Sequence, residues 1–220
     1  MFKAILVGAA ALALMSGTAN AAVQFYSFGG GAPSMPLITD FSNDTAGNAP
    51  TYAPSGYSWS GNAVVLNATS SNGAEPAIAS GVYGKGNYLS VEGGHSETLT
   101  FAAGVNKVAF YIGSLDAYND LNFTFSGPTS TNISGGQLGA LSGADNGAQT
   151  QANTNGEFVF TFAQPINSVT LNSGSNSFEI ASISAAVPEP ATWAMMLLGL
   201  GSLGAVLRNR RKPVAVAAVA

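Results

Sequence analysis

Val108-Ala109-Phe110-Tyr111-Ile112 and Leu121-Asn122-Phe123-Thr124-Phe125 decide how this chain folds. In both, a large apolar side chain stands at every second position. Successive side chains of a strand point to opposite faces of the sheet, so each run puts one face in a core and one in solvent. That pattern predicts half-buried antiparallel strands. Between the runs lies Ser114-Leu115-Asp116-Ala117-Tyr118-Asn119-Asp120, which has turn chemistry.

The same period recurs along the chain. Val23 to Phe28 opens the body, followed by Ala63–Leu66, Tyr88–Val91 and Glu97–Phe101. Phe158-Val159-Phe160-Thr161-Phe162, Val169–Leu171 and Phe178–Ile180 complete the set. Asn72-Gly73, Gly93-Gly94, Asn146-Gly147 and Ser173-Gly174 punctuate them as turns. No stretch of the body has helical periodicity. Residues 40–57, with Asp, Asn, Gly and Pro, read as a long loop, and residues 135–156, of Gly, Ala, Asn and Gln, as an irregular segment that buries little. Many short strands without helices predict an all-β fold, a jelly-roll-like antiparallel β-sandwich. Its expected core includes Leu99, Phe101, Val108, Phe110, Phe123, Phe160 and Ile180.

The 220 residues contain no cysteine, so no disulfide framework supports the fold. A core of this size can do so, because burying each Phe or Leu contributes roughly 1.5–3 kcal/mol. Charge is unevenly placed. Of seven Lys and Arg, Lys3 and a C-terminal cluster of four leave only Lys85 and Lys107 in the body, whereas only Glu189 of eleven Asp and Glu lies outside it. Such a surface repels phosphate backbones and excludes nucleic acid as a partner.

Both ends carry export signals. Lys3, the apolar run Ala4–Met15 and the small-x-small site Ala19-Asn20-Ala21 predict a signal peptide over residues 1–21, cleaved between Ala21 and Ala22. The Sec translocon is the partner this implies. At the other end, Pro188-Glu189-Pro190 cannot continue a helix or a ladder and is expected to be extended and accessible. The uncharged run 191–207 is about 25 Å long as a helix, near the lower limit for crossing a bilayer. Arg208, Arg210, Arg211 and Lys212 then form a cytoplasmic basic stop. Residues 213–220 form a short tail. An accessible motif, a short transmembrane span and a basic stop make a surface-sorting signal.

Pro188-Glu189-Pro190, Trp193 with Ala194, the Met-Leu-Gly run and the Arg cluster resemble the PEP-CTERM sorting signal in its PEPxxWA variant. The resemblance implies recognition by exosortase, a membrane-embedded cysteine transpeptidase of Gram-negative bacteria that make extracellular polysaccharide. The body carries a second resemblance. Gly86–Gly94, Thr98–Phe101, Ala109–Leu121 and Leu171–Ile180 look like a family of exosortase-dependent surface proteins, with the signatures Tyr88-Leu89-Ser90-Val91, Gly113-Ser114-Leu115-Asp116-Ala117-Tyr118-Asn119 and Phe178-Glu179-Ile180. Here Ala181-Ser182 replaces the family's closing Asp-Asn. The family has no established activity, so this resemblance implies location rather than chemistry.

Catalytic constellations are scarce. Without Cys, and with His95 the single histidine, a Cys-His dyad is impossible and a multi-His zinc site is excluded. His95 follows Gly93-Gly94 and reads as a turn residue. Asp116 and Asp120 are the closest approach to the carboxylate pair of a glycosidase, although carboxylates in such a segment usually cap turns. Asp116, Asn119 and Asp120, with Glu179 if the last strand returns alongside, offer oxygen ligands of the kind Ca²⁺ takes. The alternative is a hydrogen-bonded turn. Tyr52, Tyr57, Trp59, Tyr111 and Tyr118 are candidates for sugar stacking, or for covering a core edge. The sequence therefore reads as a non-enzymatic exported protein: a membrane-anchored precursor, then a cell-surface or matrix protein with a structural or adhesive role. Its β-sandwich spans residues 22–187, before a sorting signal over 188–212. A carbohydrate-binding module is the alternative, with a glycan-active enzyme behind it. No cofactor is expected beyond a possible Ca²⁺.

Overall fold

The computed structural model describes residues 23–29, 35–77, 86–126, 129–186, 199, 200 and 202. The chain divides into two units, Met1–Val187 and Pro188–Ala220. The strands of the first unit are β1 (Val23–Gly29), β2 (Leu37–Thr39), β3 (Tyr57–Gly61), β4 (Val64–Leu66), β5 (Tyr88–Val91), β6 (Ser96–Gly113), β7 (Asn119–Phe125), β8 (Ser130–Ser134), β9 (Gly156–Ser173) and β10 (Phe178–Ala186). Among the described residues of this unit, a helix, α1 (Gly135–Ser142), follows β8. The expected all-β, sandwich-like antiparallel architecture is present, and all described pairings are antiparallel.

The construction of the sandwich differs from a stack of short strands. The runs 97–101 and 108–112 are two halves of one strand, β6, and the runs 158–162 and 169–171 are two halves of β9. The first half of β6 pairs with β3 and with the end of β9, which pairs on with β7 and then β8. The second half of β6 pairs with β10 and with the start of β9, which continues to β1, while β10 continues to β2 and β5 and β5 to β4. Two long strands therefore pass from one sheet to the other. The register between them slips on both sides of Val105, as bulges do where a strand bends. Gly104 sits in this bend with φ +66°, and a Cβ there would stand 3.0 Å from Cβ of Pro165.

The inner faces meet in one core. Leu99, Phe110, Phe123, Phe160, Val169 and Ile180 are fully buried, and the rings of Phe110, Phe123, Phe160 and Phe162 pack at centroid distances of 4.9–6.4 Å. Tyr57 and Trp59 of β3 pack against this core from its edge. The outer face of the sheet β3-β6-β9-β7-β8 is polar. Its register lays Ser60, Thr98, Thr170, Asn122 and Asn132 in one row across the five strands, and Ser58, Thr100, Ser168, Thr124 and Ser130 in the next.

Helix α1 corrects the reading of residues 135–156 as an irregular segment that buries little. Ser134 caps it: its hydroxyl accepts from the Gln137 amide, and the Gln137 side chain accepts from the Ser134 amide, a capping box. Gly143 closes the helix at φ 98°, and Leu138 is fully buried. The two glycines in its first turn are poor helix formers. Packing requires at least one of them, since a Cβ on Gly135 would lie 1.9 Å from the Asp116 carbonyl oxygen.

Ala21 and Ala22, the sorting residues Pro188, Glu189, Pro190 and Trp193, and the basic cluster Arg208, Arg210, Arg211 and Lys212 lie outside the described residues. Among the described residues no helix is long and apolar enough to cross a membrane.

Candidate functional site: a polar cleft at one end of the sandwich

Alternation ends where β6 passes to β7 and where β9 passes to β10, and the two turns come together. With residues 70–74 and 146–149 they line a cleft of about 280 Å³. Its walls include Ser70, Ser114, Asp116, Tyr118, Asn176, Ser177 and Glu179.

Glu179 lies at the start of β10 and is 3 % exposed. Oε1 accepts from the Ala74 amide at 3.0 Å and from the Ser177 hydroxyl, and Oε2 accepts from Ser114 Oγ at 2.8 Å. Burial pushes its pKa up to about 7, against the pull of those three donors; the nearby Asp116 charge adds to the rise. Asp116 is also raised, first by burial and further by Asp145, while the Tyr118 hydroxyl opposes the shift. Tyr118 Oη lies 2.7 Å from Asp116 Oδ2 and 2.9 Å from the Asn176 carbonyl. Its single proton serves one acceptor at a time.

Of the four residues expected as calcium ligands, the structure brings Asp116 and Glu179 to this cleft. Asn119 is fully buried and committed to structure: Oδ1 accepts from the Asp116 amide at 2.8 Å, and Nδ2 donates to Ser173 Oγ and the Ser177 carbonyl, each at 3.3 Å. Asp120 points to the outer face of β7, paired in register with Ser134 and Asn172. Among the described residues no group of three or more His, Asp or Glu could hold a metal ion. Asp116 and Asp120 therefore do not face one another as a catalytic pair would.

The aromatic candidates separate in the same way. Tyr111 is buried and donates to the Ala77 carbonyl at 2.9 Å. Trp59 stacks near Phe41 and donates to the Tyr52 carbonyl at 3.1 Å. Tyr118 alone of the five lines the cleft, and Tyr52 is exposed. His95 is an exposed turn residue whose amide donates to the Glu92 carbonyl.

Sequence reasoning did not single out Ser70, Ser114, Asn176 and Ser177 as site residues: Ser114, Asn176 and Ser177 stood only within the stretches that carry the family resemblance, and Ser70 is one Ser among many. It also missed two buried carboxylates. Glu97 accepts from the Ala63 amide at 3.0 Å and is raised by burial. Glu157 is pushed up to about 7 by burial, with Lys107 opposing. Chemically, the cleft offers acceptors and hydroxyl donors but no cation among its lining residues. That suits a neutral polar ligand near the small end of the usual pocket range, about 300–1,000 Å³.

Residues 186–212 match the PEP-CTERM protein-sorting motif. The PEP-CTERM motif implies an exosortase-dependent exported protein with a membrane-anchored precursor. No curated protein matches the chain. Among solved structures it is similar to a peptidoglycan O-acetylesterase at 16 % identity and a TM-score of 0.35, over 64 % of this chain and 33 % of that one. It thus spans about a third of that protein's length. It is also similar to CsCBM6-3 from Clostridium stercorarium in complex with cellobiose, at 12 % identity and a TM-score of 0.33, over 73 % of this chain and 99 % of that one.

Proposed function

We propose that this is a non-enzymatic cell-surface or matrix protein, exported through a cleaved leader and sorted by exosortase. Its jelly-roll-like sandwich serves a structural or adhesive role in a polysaccharide-rich envelope. The PEP-CTERM match over residues 186–212 carries this reading. The hydrogen bonds that hold Glu179 in the cleft wall, from Ala74, Ser177 and Ser114, fit a structural part for that carboxylate. Replacing Glu189 with Ala in native cells should leave unprocessed precursor in the membrane fraction. A variant processed and distributed like the wild type would overturn the reading.

The cleft supports a second reading, a carbohydrate-binding module, because hydroxyls, amides and carboxylates converge there with Tyr118. A glycan array comparing wild type with Tyr118→Phe and Glu179→Gln tests it. Turnover of a glycan, lost when one carboxylate is removed, would instead support an enzyme.

A further inference from the structure

The two ends of the sandwich carry different chemistry. Strand β10 starts at the cleft with Glu179, opposite Gly113, and ends at Ala186, opposite Lys107. The steps from 179 to 186 span ~23 Å of strand. Lys107 pairs on with Thr161, and Val23, the first residue of β1, pairs with Phe162. The body therefore begins and ends at one pole, where β6 and β9 bend from sheet to sheet.

Charge divides along the same axis. Asp116 and Glu179 line the cleft, the Asp145 carbonyl accepts from the Ala117 amide beside it, and Glu92 follows the end of β5 that pairs with Phe178. The bend, residues 101–107 and 162–166, reads Phe-Ala-Ala-Gly-Val-Asn-Lys and Phe-Ala-Gln-Pro-Ile. It contains no carboxylate, and Lys107 is its charge.

The bend pole also shows apolar surface. Ala102, Ala103 and Ala163 are exposed. Leu37 is 46 % exposed, next to Pro36, whose carbonyl accepts from the Ala185 amide at 3.1 Å. Tyr57, Phe101, Ala103 and Val105 line an apolar pocket of about 140 Å³ there. Scattered singly, exposed apolar residues are ordinary. Here they gather at the pole from which the chain leaves.

The sequence says what lies beyond that pole. The sorting match begins at Ala186 itself, and its uncharged run begins at Ala191. Five extended residues reach at most ~18 Å, and the headgroup layer takes up ~5–8 Å of that. A precursor anchored through this run brings the bend pole within reach of lipid. Anionic headgroups attract Lys107, the interface takes up Leu37 and the rim of the pocket, and the carboxylates at the cleft end are repelled. We propose that the bend pole docks on the bilayer surface beside the precursor's own anchor, with the cleft turned outward. The proposal rests on the sorting reading for that anchor. Seated so, the cleft opens toward ligands away from the membrane.

The test uses the full chain, made in cells without exosortase and reconstituted in vesicles of equal parts phosphatidylethanolamine and phosphatidylglycerol. The chain has no cysteine. Ala163→Cys in the bend and Ser71→Cys on the exposed cleft rim therefore each take one fluorophore. Across the ~23 Å between the poles, a nitroxide on the lipid headgroups should quench the label at residue 163 at least about twofold more than the label at residue 71. Ala102→Glu with Gln164→Glu, both exposed in the bend, sets carboxylates against anionic lipid. The pair should cut quenching at residue 163 by about half with an unchanged melting temperature. Equal quenching at the two labels, or none at either, would overturn the proposal, and would leave a protein rather than lipid to cover this pole. Quenching that the Glu pair leaves unchanged would also overturn it, because the tether alone would then hold the pole near lipid. Processing plays no part in these vesicles. Docking by a chain that native cells leave unprocessed keeps this inference and sinks the sorting reading, and equal quenching in a chain that native cells process does the reverse.

Discussion

Ser114 and Glu179 hold the cleft together across the chain: Ser114 Oγ donates to Glu179 Oε2 at 2.8 Å, joining the turn after β6 to the start of β10. Ser114 reaches it from a left-handed backbone, φ 37°. Non-glycine residues adopt that conformation only when their surroundings enforce it.

The first prediction concerns pH. Glu179 titrates near 7 in the folded protein against 4.5 for a free glutamate, so the native state holds this proton more tightly than the unfolded one. The resulting stability is fully present below about pH 4.5 and lost as pH rises through 7, a change of about 3 kcal/mol for a shift of this size. Glu157 acts in the same direction. Thermal melts should show a higher Tm at pH 5 than at pH 8, with the difference reduced in Glu179→Gln. A Tm that rises with pH would contradict the buried-acid account.

The second concerns the core. Phe123 is fully buried, with Phe160 and Phe162 at 5.0 and 4.9 Å. Phe123→Ala should destabilise by about 3–5 kcal/mol in urea unfolding. A loss below 1 kcal/mol, on the same order as a surface change, would place that ring outside the core.

How much was legible follows from which signals are local. Alternation at Leu121–Phe125 and Phe158–Phe162 marked strands and their inward faces correctly, because period two depends only on neighbouring residues. It could not show that residues 97–101 and 108–112 are one bent strand, since the bulge at Val105 exists only against β9. Edge strands β3 and β8 were missed because their outward residues are Ser and Asn, typical of turns. Helix α1 was hidden because Gly135 answers to the carbonyl of Asp116, a tertiary demand. At the cleft, the presence of Asp116 and Glu179 in one lining was readable from an expected strand return. The withdrawal of Asn119 into the core and of Asp120 to the outer face was not, because both depend on where β7 begins.

The third prediction tests that helix. Ser134→Ala removes the cap and should cost about 0.5–2 kcal/mol, read as a lower urea midpoint with an unchanged slope. An unchanged midpoint would mean that the capping box contributes nothing.

The fourth concerns calcium. With Asn119 and Asp120 turned elsewhere, Asp116 and Glu179 alone are a poor ligand set, so millimolar Ca²⁺ should move Tm by no more than about 1 °C relative to EDTA. A larger rise that disappears in Asp116→Asn would contradict this and make the cleft a calcium site.

Sorting through the C-terminal signal underlies the proposed role. Intact-mass measurement of the mature protein from native cells tests it most directly. The account predicts a chain that begins at Ala22 and ends in or near Pro188-Glu189-Pro190, without the apolar run that follows. A mature protein that still carries Arg208, Arg210, Arg211 and Lys212 would contradict it.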